Sequence, residues 1–388
     1  MSLQLRGIFF LSNTPFKIFL IASLLLKINC SFSQNNYPVN DSTSKNLTNK
    51  QAAKNYFYYA YPFGSQALYG PLYIYLNRGY DLFQISQGDR NIFHYDFQIS
   101  GNNIIENLIH PFKNIESYGW NQFITKELLP LNYSGADARW TANYALHLFG
   151  GGMTYTCLKE WLIYNKVPCP GVFSASWLMM CAFVNESVEN ENRVGRNTDA
   201  IADLYFFDIP GILLFNSEAV KRFFSEKLQF SDWSSQVSIT FPNGYLNNVS
   251  NNFSVKLKIP KLERVYLFGY LGLTTIFGFS IKTSSENSFS FGAGMRTSEI
   301  TNTSNISINN AIKMGASTGF FYDRKNSLLF SLIITSVSNN FCNLNIYPGI
   351  IKIKNFTPGL WVIFNDKLQP SFGISTHYSL GIGLGKYW

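Results

Sequence analysis

Three observations predict an α+β protein. Apolar and polar residues alternate through the last third of the chain with the period of a β-strand. Three apolar segments of helical length precede it. The composition is poor in charge, with 14% Asp, Glu, Lys and Arg against 46% apolar and 17% aromatic residues. Soluble domains carry about 25% charged residues, so this balance suits a chain whose outer face meets lipid. The expected architecture is an N-terminal helical domain, residues 55–230, followed by an antiparallel C-terminal β-barrel of outer-membrane type, residues 232–388, with roughly eight to ten strands. The apolar content excludes an intrinsically disordered chain, and 14 prolines without a Gly-X-Y period exclude collagen.

The N-terminus combines Arg6 and Lys17 with an apolar core from Ile18 to Leu26 and a small-x-small site at Ser31-Phe32-Ser33. This order predicts a secretory signal peptide over residues 1–33. The core is too short for a membrane span, which needs about 20 apolar residues. Asn29 before Cys30 argues against a lipoprotein anchor. Residues 34–54, rich in Asn, Ser and Thr, read as a disordered polar leader. The formal charge of +8 falls to +5 when Arg6, Lys17 and Lys27 are removed, 8 minus 3. The remaining cations are scattered, which excludes nucleic acid as a partner and suits an anionic membrane surface. Four cysteines follow the signal, Cys157, Cys169, Cys181 and Cys342, and admit three pairings. None forms a C-x-x-C unit, and Cys181, inside WLMMCAFV, reads as a small buried hydrophobe.

The helical segments are TANYALHLFGGGMTYTCLKEWLIYN, GVFSASWLMMCAFVNESVENEN and TDAIADLYFFDIPGILLFNSEAVKRFF. Thr198 is placed to cap the third. Their few polar residues are the candidate catalytic groups: His147, Glu160, Glu186, Glu189, Asp199 and Asp203. Asn143 and His147 share a face at i, i+4, whereas Glu160 lies about 20 Å further along the same helix and joins no compact site with His147. Antiparallel packing of the second and third segments brings Glu186 and Glu189 toward Asp199 and Asp203. These four are the candidate ligands for a divalent cation, or groups for acid–base work; the competing reading is capping and pairing at helix ends. No cofactor motif appears: Gly150-Gly151-Gly152 lacks the Lys and Ser/Thr of a P-loop and reads as a close helix contact. No G-x-S-x-G is present, and His94, His110 and His377 have no adjacent nucleophile.

In the last third, Val237, Ile239 and Phe241 alternate with polar neighbours, as do Phe253 to Ile259, Phe289 to Met295 and Tyr378 to Leu384. Turn residues such as Pro242-Asn243-Gly244 and Asn365-Asp366-Lys367 separate the runs, predicting an antiparallel meander. Small Gly and Ser residues on the second face suit a crowded barrel lumen. The alternative is a secreted β-sandwich with its apolar face inward. The chain ends on Tyr387-Trp388, and this terminal aromatic is similar to the assembly signal of outer-membrane barrels. That likeness implies the barrel-assembly machinery as a partner beside outer-membrane lipid.

The block NIIENLIHPF, the NYALHLFGGG and NESVEN segments and TDAIAD resemble a group of Gram-negative exported proteins of unknown function that join a helical segment to a C-terminal outer-membrane barrel. The helical part, with its His-x-x-x-Gly and later Glu and Asp, is similar to VanZ-like and YfiM-like envelope proteins. The resemblance covers about a third of the chain and implies an envelope location.

The expected function is a structural or binding role in the outer membrane, not an open pore, since so small a barrel encloses no channel. Aromatic clusters Tyr56-Phe57-Tyr58-Tyr59 and Tyr73 with Tyr75 are expected in an interfacial belt. The alternative is an envelope enzyme acting on lipid or cell-wall material through the carboxylates; periplasmic or secreted is the alternative location.

Overall fold

A computed structural model describes residues 54–85, 90–93, 95–130, 141–302, 310–377 and 380–385. The expected signal peptide, all but the end of the polar leader, His94 and the terminal Tyr387-Trp388 lie outside the described residues. Helices occupy the first half: α1 (Pro71–Gly79), α2 (Phe97–Ile109), α3 (Pro111–Tyr118), α4 (Gly150–Tyr164), α5 (Pro170–Asn190), α6 (Thr198–Ile201), α7 (Ile209–Leu214) and α8 (Glu218–Arg222). A π-helical stretch, Thr141–Phe149, leads into α4, and another, Ala202–Asp208, joins α6 to α7. Asn197, not Thr198, caps α6, its side chain accepting from the Ala200 amide at 3.3 Å. No helix among the described residues is long and apolar enough to cross a membrane.

The second half is one 13-stranded sheet, in the order β1-β4-β5-β6-β7-β8-β9-β10-β11-β12-β13-β2-β3. Its strands are β1 (Ser231–Asp232), β2 (Ser238–Phe241), β3 (Tyr245–Asn247), β4 (Phe253–Lys258), β5 (Val265–Leu271), β6 (Thr274–Lys282), β7 (Asn287–Asn302), β8 (Asn310–Arg324), β9 (Ser327–Thr335), β10 (Cys342–Ile346), β11 (Gly359–Phe364), β12 (Pro370–Ser375) and β13 (Gly381–Gly385). The expected eight to ten antiparallel strands are therefore corrected in three respects. There are 13 strands among the described residues. The pairing is mixed, because β13 and β2 run parallel. The strand ladder has two ends, β1 and β3, and does not close on itself as a barrel does. The extra strands arise where the first hairpin breaks in two. Residues 231–241 and 245–258 form one hairpin whose ladder is interrupted, the Trp233 and Ser235 amides still donating to the Asn252 and Ser250 carbonyls.

Helix α1 and the residues before it pack against this seam. Tyr73 donates to the Ser234 carbonyl at 2.7 Å and Asn77 to the Ser235 carbonyl at 3.1 Å, while the Ser250 amide donates to Asn77 Oδ1 at 3.0 Å. The backbone turns at Gly64, with φ of 69°, where an added Cβ would run into Ser327. One apolar cluster spans both halves, Leu146, Met153 and Phe215 of the helices with Trp233, Phe253, Phe268 and Phe321 of the sheet region. Tyr56, Phe57, Tyr58 and Tyr73 are buried in it, so they form no interfacial belt; the aromatic run packs inward because its amides are held by a carboxylate described below.

Cys157, Cys181 and Cys342 are free thiols, and Cys181 is fully buried as expected of a small hydrophobe. Cys169 is disulfide-bonded.

Candidate functional site

The glycine triplet at the start of α4 sets how closely the elements approach. A Cβ on Gly150 would strike Phe253 of β4, one on Gly152 would strike Phe215 and the Gly211 carbonyl, and one on Gly151 would lie 2.7 Å from Asp208 Oδ1. The triplet thus packs α4 against both the sheet and α7, and at Gly151 leaves room for Arg78, at the end of α1, to meet Asp208.

Arg78 Nη2 donates to Asp208 Oδ1 at 2.6 Å and Nη1 to the Leu146 carbonyl at 3.0 Å, with both side chains of the ion pair buried. His147 Nδ1 lies 3.1 Å from the other oxygen of Asp208, and its Nε2 lies 3.5 Å from Asp203 Oδ2. Asp203 and Asp208 both reach one imidazole because the chain between them is π-helical. Its wider turn brings i and i+5 to one side, where an α-helix would spread them apart. From α5, Glu186 completes the group. His147, Glu186 and Asp203 each offer one ligand atom, all within 4.8 Å of one another.

Glu186 is 1% exposed and Asp203 4%. Both oxygens of Glu186 and Oδ1 of Asp203 have no hydrogen-bond partner among the described residues. Burial holds the Glu186 carboxyl well above its ordinary range, reinforced by Asp203, Glu189, Asp199 and Asp208. Burial likewise raises Asp203 to about 7, against the lowering effect of His147. For His147 burial acts downward, but Asp203 and Asp208 outweigh it and leave the imidazole at about 9. Asp81 and Glu127 are buried nearby, accepting from Asn185 at 2.7 Å and from Tyr118 at 3.1 Å.

Of the sequence candidates, His147, Glu186 and Asp203 are brought together, and the half-buried Glu189 and Asp199 act on Glu186 through their charge. Glu160 stands apart. Its oxygens accept from the amides of Tyr56, Phe57 and Tyr58 at 2.8, 2.9 and 2.8 Å, an anchoring role for the N-terminal segment. Sequence reasoning missed Arg78 and Asp208. Arg78 is a lone cation in the last turn of a short helix, and Asp208 falls out of phase with Asp203 on a 3.6-residue period.

Comparison with protein-family models, curated proteins and solved structures found no match for the chain.

The arrangement is chemically suited to two tasks. It can share protons among closely spaced carboxyls, or it can bind a cation through one imidazole nitrogen and two carboxylate oxygens.

Proposed function

We propose that the protein is an integral outer-membrane protein whose sheet forms a barrel-like wall in the bilayer, with a structural or binding role and no open channel. One observation carries this reading. A continuous apolar row crosses the sheet from strand to strand: Leu257, Leu267, Phe279, Phe291, Phe320, Leu332, Leu344, Val362, Phe372, Leu384 and Phe241 pair in succession. Eight of the eleven are exposed and the other three half-buried. The opposite face buries Lys256 and Asp323, paired at 2.5 Å, with Ser280, Ser290, Asn345 and Arg296. An aqueous sandwich would place these faces the other way round, and soluble monomers rarely expose so large an apolar patch. A lipid-facing band outside and a polar interior are the arrangement of a membrane barrel.

The seam between the ladder ends supports the same reading. Residues 233–237 link β1 to β2, donate across to 250–252, and have carbonyls met by Tyr73, Asn77 and Tyr347. Backbone groups at membrane depth require such partners. Trp233, Trp361 and Phe321, all fully buried, leave the interior filled rather than open.

Fractionation followed by gel migration with and without boiling tests the proposal. Recovery in the outer membrane with heat-dependent migration is expected; release into the soluble fraction with unchanged migration would refute it.

The buried group around His147 favours a second reading, an envelope enzyme acting on lipid or cell-wall material. Under it, the double substitution Glu186→Gln and Asp199→Asn produces a lipid or cell-wall phenotype while heat-dependent migration persists. Loss of thermal stability alone would assign these residues to structure.

A further inference from the structure

Glu186 is unusual among buried acids in having two oxygens that no donor among the described residues reaches. Leaving a buried carboxylate without partners costs several kcal/mol, so such groups are paired, protonated or bound to a metal. Within the group, Arg78 is committed to Asp208 and the Leu146 carbonyl, and supplies nothing to Glu186. The imidazole geometry then becomes informative. Nδ1 of His147 faces Asp208 and donates to it, so Nε2 is the nitrogen turned toward Asp203, beside Glu186, and the one that gives up its proton when an ion binds. A metal-ligating histidine is commonly held in this way, its far nitrogen donating to a carboxylate that is itself anchored. Here the anchor is Arg78.

We propose that His147 Nε2, Glu186 and Asp203 form a binding site for a divalent transition-metal ion, with Asp208 and Arg78 as the positioning pair behind the imidazole. The mixed set, one nitrogen and two carboxylate oxygens, fits Zn²⁺ or Mn²⁺ better than Ca²⁺, which takes six to eight oxygens, or Mg²⁺, which retains its waters. Three protein ligands leave a fourth position for water or an oxygen of a bound molecule, the pattern of sites that act on ligands rather than of closed structural sites. The separation of up to 4.8 Å between ligand atoms exceeds the spacing around a bound ion, at which two ligands about 2.1 Å from zinc lie roughly 3.4 Å apart. Binding therefore draws the three side chains inward and neutralises the carboxylates that otherwise face one another in a buried space.

The test uses the full chain in detergent, stripped with chelator, desalted after addition of Zn²⁺ or Mn²⁺ alone, and assayed for metal content and for affinity by titration calorimetry. One equivalent of Zn²⁺ or Mn²⁺ is expected to remain with the wild-type protein. Glu186→Gln, nearly isosteric, is expected to fold and to bind at least about tenfold more weakly; Asp208→Asn, which weakens the support of the imidazole while leaving all three ligands in place, is expected to weaken binding about 10- to 100-fold. Near-ultraviolet circular dichroism verifies folding of each variant, and Glu299→Gln at an exposed ion pair of the sheet serves as a control with unchanged metal content. Wild-type protein that folds but retains neither ion would overturn the proposal, as would Zn²⁺ retention unaltered by Glu186→Gln. Equal retention of Ca²⁺ would overturn the assignment to a transition metal. The site lies in the helical half, so its failure leaves the membrane reading of the sheet untouched, and the reverse also holds.

Discussion

Replacing Glu160 by Gln perturbs a single anchor with little change in shape. The carboxylate is 6% exposed and accepts three backbone amides, Tyr56 at Oε1 and both Phe57 and Tyr58 at Oε2. An amide side chain has one acceptor, which can serve Phe57 and Tyr58; its NH₂ then faces the Tyr56 N–H, donor against donor. Leaving that buried N–H unpaired costs about 1–3 kcal/mol, and converting two charge-assisted bonds to neutral ones removes about 1 kcal/mol each, for a loss of about 3–5 kcal/mol. The Lys54–Glu226 pair tethers the same segment from the surface, its partners 59% and 45% exposed, so solvent screens it and Glu226→Gln is expected to leave stability nearly unchanged. Denaturant unfolding in detergent, followed by tryptophan fluorescence, measures both, and limited proteolysis near residues 54–64 reports release of the segment. A Glu160→Gln protein within 0.5 kcal/mol of wild type, and no more sensitive to protease than Glu226→Gln, would refute the anchoring role.

Further substitutions probe other parts of the structure. Phe279→Arg on the outward row is expected to destabilise the membrane-inserted protein by about 2–4 kcal/mol, read from folding equilibria in lipid vesicles, whereas Phe279→Leu changes it little. Gly152→Ala forces α4 from Phe215 and the Gly211 carbonyl, with an expected loss of about 1–3 kcal/mol in a thermal melt. Glu218 is held below the ordinary carboxylate range by hydrogen bonds from Lys221 and Tyr56. A depressed acid contributes above its unfolded value and loses that contribution as pH falls through the folded one. Glu218→Gln should therefore lower stability slightly at pH 7, by about 0.5 kcal/mol after screening, with the difference shrinking as pH falls below the ordinary carboxylate range in a melt series.

The strands were legible because their period is local: outward residues such as Phe289 and Phe291 are separated by Ser290, and neither burial nor pairing partners are needed to see it. The parallel contact of Gly381 with Ser238 was not, since it joins segments more than a hundred residues apart and carries no turn signature. The aromatic residues Tyr56, Phe57 and Tyr58 were misplaced for a related reason, whereas Tyr59 of the same run is exposed. Aromatic composition suits an interface and a core equally, and the deciding partner, Glu160, is distant in sequence. In the helical half, the approach of Glu186 to Asp203 followed from two helices joined by a short loop. The participation of His147 and Asp208 did not, because π-helical turns shift both residues away from the faces that a 3.6-residue period assigns.

Adjacent positions of β7 provide the most direct test of the membrane reading. Spin labels at Phe291→Cys and Ser290→Cys, in a Cys342→Ser background and reconstituted into lipid vesicles, report collision with lipid-soluble oxygen and with a water-soluble relaxation agent. The expected result is strong oxygen access at residue 291, which is 37% exposed, and little access to either agent at residue 290, which is buried against Ser280. Ready access of the water-soluble agent to residue 291 would contradict the placement of the sheet in a bilayer.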